Sequence, residues 1–112
     1  MDILFKTKKL WKQCNNHKEL NKAFGSKRAR LIQRRLDEFK AAKTLKDVAT
    51  LPGPRCHELT GDKTGQLSVD LDHPYRLLFM PANDPVPKKV DGGLDWTRII
   101  RIEILGVKDT HE

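Results

Sequence analysis

The chain has 112 residues, of which 38% are hydrophobic, and it carries a formal net charge of +7. This length fits a single domain, residues 1–112, with one modest core. No apolar run approaches the roughly 20 residues that a transmembrane helix requires, so no membrane partner is predicted. The segment from Met1 to Phe5 lacks the basic start and long apolar stretch of a signal peptide, and two cysteines do not make a disulfide framework. We therefore expect a cytoplasmic protein.

Positive charge is concentrated in the first half of the chain. Residues 1–50 contain 14 Lys or Arg and 5 Asp or Glu, a net charge of +9, whereas residues 51–112 contain 8 and 10, a net charge of −2. This asymmetry indicates a polyanionic partner, and nucleic acid is favoured over membrane because no apolar anchor accompanies the charge. The alternative is a basic surface that only aids solubility.

The N-terminal half predicts one strand and two helices. Residues 2–6 form the strand, and Thr7 can cap a first helix that is expected to continue toward Phe24, although Asn15-Asn16 weakens the pattern there. Three side chains recur at helical spacing on this helix and are expected to be buried: Leu10, Trp11 and Cys14.

The second predicted helix, from about Lys27 to Ala42, has one apolar and one basic face. Gly25 ends the first helix and Ser26 caps the second. The buried stripe comprises Ile32, Leu36 and Phe39. Basic side chains on the solvent face are Lys27, Arg30 and Arg34, flanked by Arg28 and Arg35. Arginine forks match phosphate in a bidentate way, so this face predicts RNA-backbone contact, with an acidic protein partner as the alternative.

The C-terminal half predicts a meander of strands. A helical turn at 45–48 is stopped by Leu51-Pro52-Gly53-Pro54, and a proline-rich excursion at 81–97 precedes the last strand. The extended segments are 55–59, 66–71, 75–80 and 98–105, with tight turns at 61–65 and 72–74. Helices followed by strands predict an α+β domain with its helices packed on one face of a mainly antiparallel sheet of four to five strands.

The segment after the last strand, Lys108-Asp109-Thr110-His111, places a base, a carboxylate, a hydroxyl and an imidazole where the sheet ends. Metal-free RNA cleavage requires a base for the 2′-hydroxyl, an acid for the leaving 5′-oxygen, and cations on the phosphate. Because hairpins bring distant residues together, Arg76 could share this end of the sheet. The candidate catalytic set is Lys63, Arg76, Asp109 and His111, and a solvated polar tail is the alternative.

Metal chemistry is not favoured. Cys14-x-x-His17 and Cys56-His57 supply four possible zinc ligands, but the second pair has the wrong spacing for a chelating turn and Cys14 lies on the apolar stripe. We therefore predict no metal and no other cofactor.

Three motifs, in order along the chain, resemble HigB-type toxins of the RelE/ParE superfamily. Residues 51–69 are similar to the first sheet hairpin of these toxins, and Tyr75-Arg76-Leu77-Leu78-Phe79 is similar to their aromatic-Arg-aliphatic-x-Phe strand. Asp109-Thr110-His111 stands where they end in Asp-Tyr-His. With the preceding strand and helices, the resemblance covers nearly the whole chain.

The resemblance implies a RelE-like fold and the toxin of a type II toxin–antitoxin system. Such a toxin is an mRNA interferase, a metal-independent endoribonuclease that cleaves translated mRNA in the ribosomal A site and arrests growth. Implied partners are the ribosome, mRNA and a helix-turn-helix antitoxin, which alone would contact operator DNA. The alternative is a non-catalytic protein of this fold, a weakened toxin or a gyrase poison, that acts by protein binding.

The resemblance also assigns residue roles. His111 would be the general acid or base, Asp109 its polar neighbour, and Arg76 the phosphate-stabilising group. Thr60 stands where the toxins can carry a catalytic lysine, so Lys63, three residues on, would substitute. Thr110 replaces the terminal tyrosine, and both threonines are expected at the RNA.

Overall fold

The computed structural model describes residues 1–109, and the predicted site residues Thr110 and His111 lie outside this range. Within it, the chain forms an α+β structure of four helices and one five-stranded, mainly antiparallel sheet, which confirms the predicted fold class at this level. In chain order the elements are β1 (Asp2–Phe5), α1 (Lys8–Cys14), α2 (His17–Phe24), α3 (Ser26–Ala41), α4 (Leu45–Ala49), β2 (His57–Glu58), β3 (Leu67–Asp70), β4 (Tyr75–Pro81) and β5 (Arg101–Asp109). None of the helices in this range has the length and apolar character needed to cross a bilayer.

The sheet has the order β1-β5-β4-β3-β2. The first strand pairs in parallel with the last one, and all other neighbours are antiparallel. The chain therefore places its N-terminal strand at one edge and the two-residue strand β2 at the other. The helical half is inserted between β1 and the antiparallel meander.

The core lies between the helices and one face of the sheet. Ile32, Leu36 and Phe39 of α3 are buried, as predicted, and the Phe39 ring meets Phe79 of β4 edge to face at a centroid distance of 4.9 Å. The core-facing residues of the three central strands are Leu67, Val69, Leu77, Phe79, Ile102 and Ile104. Because side chains alternate along a strand, their neighbours lie on the opposite side, called the second face below.

The single first helix of the prediction is wrong, because the chain forms two helices there. Asn16 begins α2, and its side-chain oxygen accepts a hydrogen bond from the backbone N–H of Glu19 at 3.1 Å. Thr7 caps α1 as predicted, accepting from the N–H of Leu10. Trp11 was expected to be buried, but it is 52% exposed, because the core stripe of α1 is limited to Leu10 and Cys14.

The junction between α2 and α3 also differs from the prediction. Gly25, with φ of +80°, is both the end of α2 and the N-cap of α3. Ser26 is instead the first residue of the helix, and the N-cap, a glycine, has no side chain that could make a capping hydrogen bond. A left-handed backbone at this position favours glycine, so the chain turns between the two helices without an intervening loop.

The last strand is shifted and extended relative to the predicted 98–105. It runs to Asp109 and contains a β-bulge. Ile104 pairs with Phe79 and Gly106 pairs with Leu78, so Leu105 between them is the extra residue. Gly106 has φ of +147°, which a side chain would disfavour. The bulge reverses the alternation of faces for the residues that follow it.

Smaller differences occur around the meander. The predicted segment 55–59 contributes only the two residues of β2, and the turn 61–65 contains a 3-10 turn at Gly61–Lys63. The excursion after β4 includes an isolated bridge between Lys88 and Leu94 and a second 3-10 turn at Trp96–Arg98. Trp96 packs against the core and donates from Nε1 to Glu58 at 3.2 Å.

An ion pair joins α3 to the turn between β3 and β4. Arg28 donates from Nε to Asp72 Oδ1 at 3.0 Å and from Nη2 to Oδ2 at 3.2 Å, and its guanidinium lies 3.5 Å from the centre of the Tyr75 ring. Burial by itself raises the pKa of Asp72, but the hydrogen bonds and charge of Arg28 outweigh it and hold that pKa below its usual value. Arg28 is therefore a structural residue of the turn rather than part of a free basic face.

We predict that Asp72→Asn lowers the free energy of unfolding by about 1–2 kcal/mol at neutral pH, since it removes one charge from a bidentate pair. A carboxylate whose pKa is lowered in the folded state stabilises the fold at pH values above its unfolded-state pKa of about 3.9. That stabilisation is lost as the pH falls through the folded-state pKa. The difference between variant and wild type should therefore narrow toward pH ~2. Urea unfolding across this range measures it, with Asp37→Asn, exposed on α3, as the control. A pH-independent difference would contradict the assignment.

Candidate active site

The structure separates two members of the predicted catalytic set. Arg76 pairs with Asp70 at the end of β3, whereas Lys63 precedes the first residue of that strand, Leu67. A strand rises by about 3.3 Å per residue, so at least ~10 Å of sheet lies between them. Thr60, exposed in the same turn as Lys63, is at the distant end as well. Neither residue is brought to Arg76.

Asp109 lies at the same end of the sheet as Arg76 but on the other face. The register pairs Asp109 with Tyr75, which packs against the core, and pairs Arg76 with Lys108. The bulge at Leu105 produces this arrangement. Lys108, rather than the predicted Asp109, is therefore the residue of β5 that shares the second face with Arg76.

Arg76 belongs to a cluster that the sequence did not indicate. Its Nη1 donates to Nε2 of His57 at 3.0 Å, and its Nε lies 3.5 Å from Oδ1 of Asp70. The other carboxylate oxygen of Asp70 lies 3.5 Å from Nη1 of Arg55. These four residues are called the His57 cluster. The Arg76 and Asp70 side chains are 28% and 22% exposed, so the cluster is accessible from solvent.

Hydrogen-bond partners define the protonation pattern of the His57 ring. Nδ1 lies 2.8 Å from the backbone carbonyl of Arg55, and a carbonyl can only accept, so Nδ1 carries the hydrogen. Nε2 faces the guanidinium of Arg76, which can only donate. The pattern is that of a neutral imidazole whose Nε2 lone pair accepts from a guanidinium, so a proton acceptor and a group that can bind an anion lie side by side.

The backbone before β2 holds the ring in this orientation. Arg55 has φ of +47°, a left-handed conformation that non-glycine residues rarely adopt. This turn directs its carbonyl toward His57 two residues later. Strain that is retained beside a cluster of polar side chains is a feature of functional sites.

Arg35 fixes the same region from the helix side. Its Nε donates to the carbonyl of Asp70 at 2.7 Å, its Nη2 to the carbonyl of Gly53 at 3.2 Å, and its Nη1 to Glu38 at 2.8 Å. The side chain is only 8% exposed. The prediction of Arg35 on the solvent face is therefore wrong, because two of its nitrogens bind the end of β3 and the loop before β2, and the third binds Glu38 of its own helix.

The basic face of α3 is smaller than predicted. Lys27, Arg30 and Arg34 are exposed, whereas Arg28 and Arg35 are bound within the protein. Arg30 and Arg34 line a groove of about 660 Å³ between α2 and α3. Arg34 is 70% exposed, with only a distant carboxylate of Glu38 at 3.9 Å. The three exposed side chains form the basic helix face discussed below.

Cys14 is buried and Cys56 is partly buried, and both thiols are protonated at neutral pH. Burial raises the pKa of Cys14 to about 11, and burial together with the charge of Glu58 raises that of Cys56 to about 12. Within residues 1–109, no group of three or more His, Cys, Asp or Glu side chains is placed to hold a metal ion. Thiols of this kind are poor ligands, since metals bind the thiolate.

From the sequence, His57 is predicted only as a possible zinc ligand. The sequence does contain a pattern that places Ser68, Asp70 and Arg76 on one face, because each alternates with core residues. His57 shares that face because it pairs with Ser68 in the neighbouring strand. The position of β2 relative to β3 was the missing information, because a strand of two residues leaves no periodic pattern.

Comparison with known proteins returned no match: no protein-family model matches the sequence, and neither does any curated protein.

The raised pKa values of the two thiols predict that the folded protein reacts slowly with thiol reagents. At neutral pH, both cysteines of the folded protein should react with a disulfide reagent roughly 100-fold or more slowly than in the unfolded chain, because the thiolate fraction falls with each unit of pKa. Folding stability should also decline above pH ~8.5, where only the unfolded thiols lose their protons. Thiol titration with and without guanidinium chloride tests this, and a rapid reaction of the native protein would contradict it.

Proposed function

We propose that the protein is a ribosome-dependent endoribonuclease, the toxin of a type II toxin–antitoxin system, which cleaves translated mRNA without a metal. The observation that carries the proposal is the Nε2 lone pair of His57 held 3.0 Å from the guanidinium of Arg76 on an accessible sheet face. The five-stranded α+β architecture and the motif resemblance support it. Cytoplasmic location follows as part of the same proposal.

The chemistry requires a proton acceptor and a phosphate site next to each other. In the proposed step, Nε2 of His57 takes the proton of a 2′-hydroxyl, the 2′-oxygen attacks phosphorus, and the bond from phosphorus to the 5′-oxygen breaks. The products are a 2′,3′-cyclic phosphate and a 5′-hydroxyl. Arg76, which donates to Nε2 in the unliganded site, would turn its guanidinium to the phosphate and free the lone pair.

Further cations surround this site. Arg55 shares Asp70 with Arg76, and Lys108 occupies the position paired with Arg76 on β5. Asp70 balances part of this charge, with its Oδ1 3.5 Å from Nε of Arg76. The general acid for the leaving oxygen remains assigned to His111 through the resemblance. Lys63 and Asp109 lose support as catalytic residues, because the first is distant and the second lies on the core-facing side.

The basic helix face would contact ribosomal RNA. Its residues Lys27, Arg30 and Arg34 belong to α3, on the opposite side of the sheet from the His57 cluster. Two separate cationic surfaces suit a protein that binds one RNA while cutting another. The other proposed partners are the mRNA and a helix-turn-helix antitoxin that carries the operator-DNA contact.

A non-catalytic role is the second candidate, and one observation favours it. Thr60 occupies the position at which the resemblance predicts a catalytic lysine, and Lys63 is separated from Arg76 by the length of β3. A chain with this arrangement could act by protein binding alone, as a weakened toxin or a gyrase-poison-like protein.

Loss of either central residue should abolish toxicity. Induction of the wild-type protein should arrest growth, whereas His57→Ala or Arg76→Ala should slow RNA cleavage by roughly 10²–10⁴-fold and restore growth. His17→Ala, an exposed imidazole on α2, and Lys63→Ala should remain toxic. Circular dichroism controls for folding. Arrest by all four variants would reject catalysis by this cluster and favour a toxin that acts by protein binding, whereas growth of cells that express the wild type would indicate a weakened toxin.

Ribosome association should depend on the basic helix face. Arg30→Glu combined with Arg34→Glu should reduce cosedimentation with ribosomes, and the remaining binding should show a shallower dependence on salt because fewer counterions are released. Lys8→Glu with Lys9→Glu on α1 gives the same change of net charge and serves as the control. Equal losses in the two double variants would indicate non-specific attraction only.

A further inference from the structure

The charges around the His57 ring are mainly positive. The loop before β2, β4 and β5 each contribute one cation to this side of the sheet, namely Arg55, Arg76 and Lys108. Glu58, the next residue of β2, binds Trp96 instead. When Nε2 takes up a proton, the ring becomes a further cation among these groups, and like charges disfavour that state. A base in this position therefore needs a counter-ion.

Asp70, at the end of β3, supplies a carboxylate among the cations. Its Oδ2 lies 3.5 Å from Nη1 of Arg55, and its Oδ1 lies 3.5 Å from Nε of Arg76. Oδ1 is buried, and within residues 1–109 it accepts no hydrogen bond. A buried carboxylate oxygen without a hydrogen-bond donor is unfavourable, so its retention beside a titratable ring requires a reason.

The guanidinium of Arg76 contacts both the ring and this carboxylate. Its Nη1 donates to Nε2 of His57 at 3.0 Å, while its Nε faces Oδ1 of Asp70. In the proposed reaction, Arg76 turns to the phosphate as His57 takes up a proton. The carboxylate then has an imidazolium beside it in place of a guanidinium. Asp70 thus keeps a cationic partner while the proton is transferred.

The structural role of Asp70 belongs to its backbone. The N–H of Asp70 donates to the carbonyl of Pro54 at 2.7 Å, and its carbonyl accepts from Nε of Arg35 at 2.7 Å. Both bonds persist whatever the side chain is. The two ion pairs of the carboxylate are long and partly exposed, and such pairs contribute little to stability. The negative charge itself therefore requires another explanation.

We propose that Asp70 is a positioning residue of the candidate site, whose carboxylate is the counter-ion of protonated His57 and increases the affinity of the ring for the proton of the 2′-hydroxyl. A nearby opposite charge favours the charged form of a titratable group. The catalytic consequence rests on the proposed function. The electrostatic contact between the two side chains does not, because it exists in the free protein.

Titration of the His57 ring by nuclear magnetic resonance in the free, full-length protein tests the contact. The ring signal is assigned by its absence from His57→Ala. In Asp70→Asn, the pH of half-protonation should fall by at least ~1 unit, a tenfold loss of proton affinity, because the opposite charge is removed. Arg76→Ala should move it upward, because a like charge is removed. Asp70→Glu, which keeps the charge, should restore most of the wild-type value.

Ser68→Ala is the matched control. Ser68 is buried on the same face of β3 as Asp70 and pairs with His57 on β2, and within the described chain its hydroxyl has no hydrogen-bond partner. The substitution removes a second buried polar atom beside the ring without changing any charge, so the titration should match that of the wild type. If Asp70→Asn does not fold, Asp70→Ser removes the same charge and should give the same downward shift.

The pH dependence of RNA cleavage supplies the second measurement. Because a general base acts only when deprotonated, the acid limb of the rate profile of Asp70→Asn should move to lower pH by the same interval as the titration, with a lower plateau. A structural defect would lower the plateau and leave the limb in place.

Two results would overturn the proposal. One is a titration that is unchanged in Asp70→Asn or equally shifted in Ser68→Ala, and the other is a shifted titration with an unmoved acid limb. Failure of the proposed function is recognised separately, because a folded wild-type protein that cleaves no translated RNA would contradict that function whatever the titration shows.

Discussion

The buried fork of Arg35 connects the parts of the molecule on which the candidate site depends. One guanidinium joins α3 to the carbonyl of Asp70 at the end of β3 and to the carbonyl of Gly53 before β2, and Glu38 of the same helix balances its charge. A buried guanidinium must bond through most of its donors to offset desolvation, so the three partners hold one another in place. The loop that carries Arg55 and His57 is thereby held against the strand that carries Asp70.

The arginines of α3 have two different roles. Arg28 and Arg35 face inward and fix the turn after β3 and the loop before β2, whereas Arg30 and Arg34 stay exposed. The sheet then separates the exposed face from the His57 cluster. In the proposed function, the first surface would bind ribosomal RNA and the second would act on mRNA.

Much of the fold could be predicted because its signals are periodic. The stripe Ile32, Leu36 and Phe39 identified α3 to within one residue at each end, and alternation identified β3, β4 and β5. The break between α1 and α2 was missed because Asn16 acts as a cap only when the chain turns there. Arginines could not be divided into inward and outward groups, since their partners, Asp72 and two carbonyls, lie far away in sequence.

The candidate site was only partly predictable. Arg76 was identified from its strand, but its partner His57 lies on a two-residue strand whose register depends on a strained turn at Arg55. Arg76 and Asp109 were expected to share one end of the sheet because hairpins bring distant residues together, and the register does place both there; the bulge at Leu105, however, puts Asp109 on the other face and Lys108 opposite Arg76. A bulge depends on local backbone energetics at Gly106 and leaves only a single glycine as its trace in the sequence.

In the proposed function, the His57 and Arg76 pair cleaves mRNA on the ribosome. Mapping the 5′ ends of cellular RNA after induction tests it most directly. The proposal predicts new 5′-hydroxyl ends inside coding sequences, at a fixed position relative to the codon in the ribosomal A site, that disappear from messages whose start codon has been removed. An RNA population without new ends, or with the same ends in untranslated messages, would contradict it.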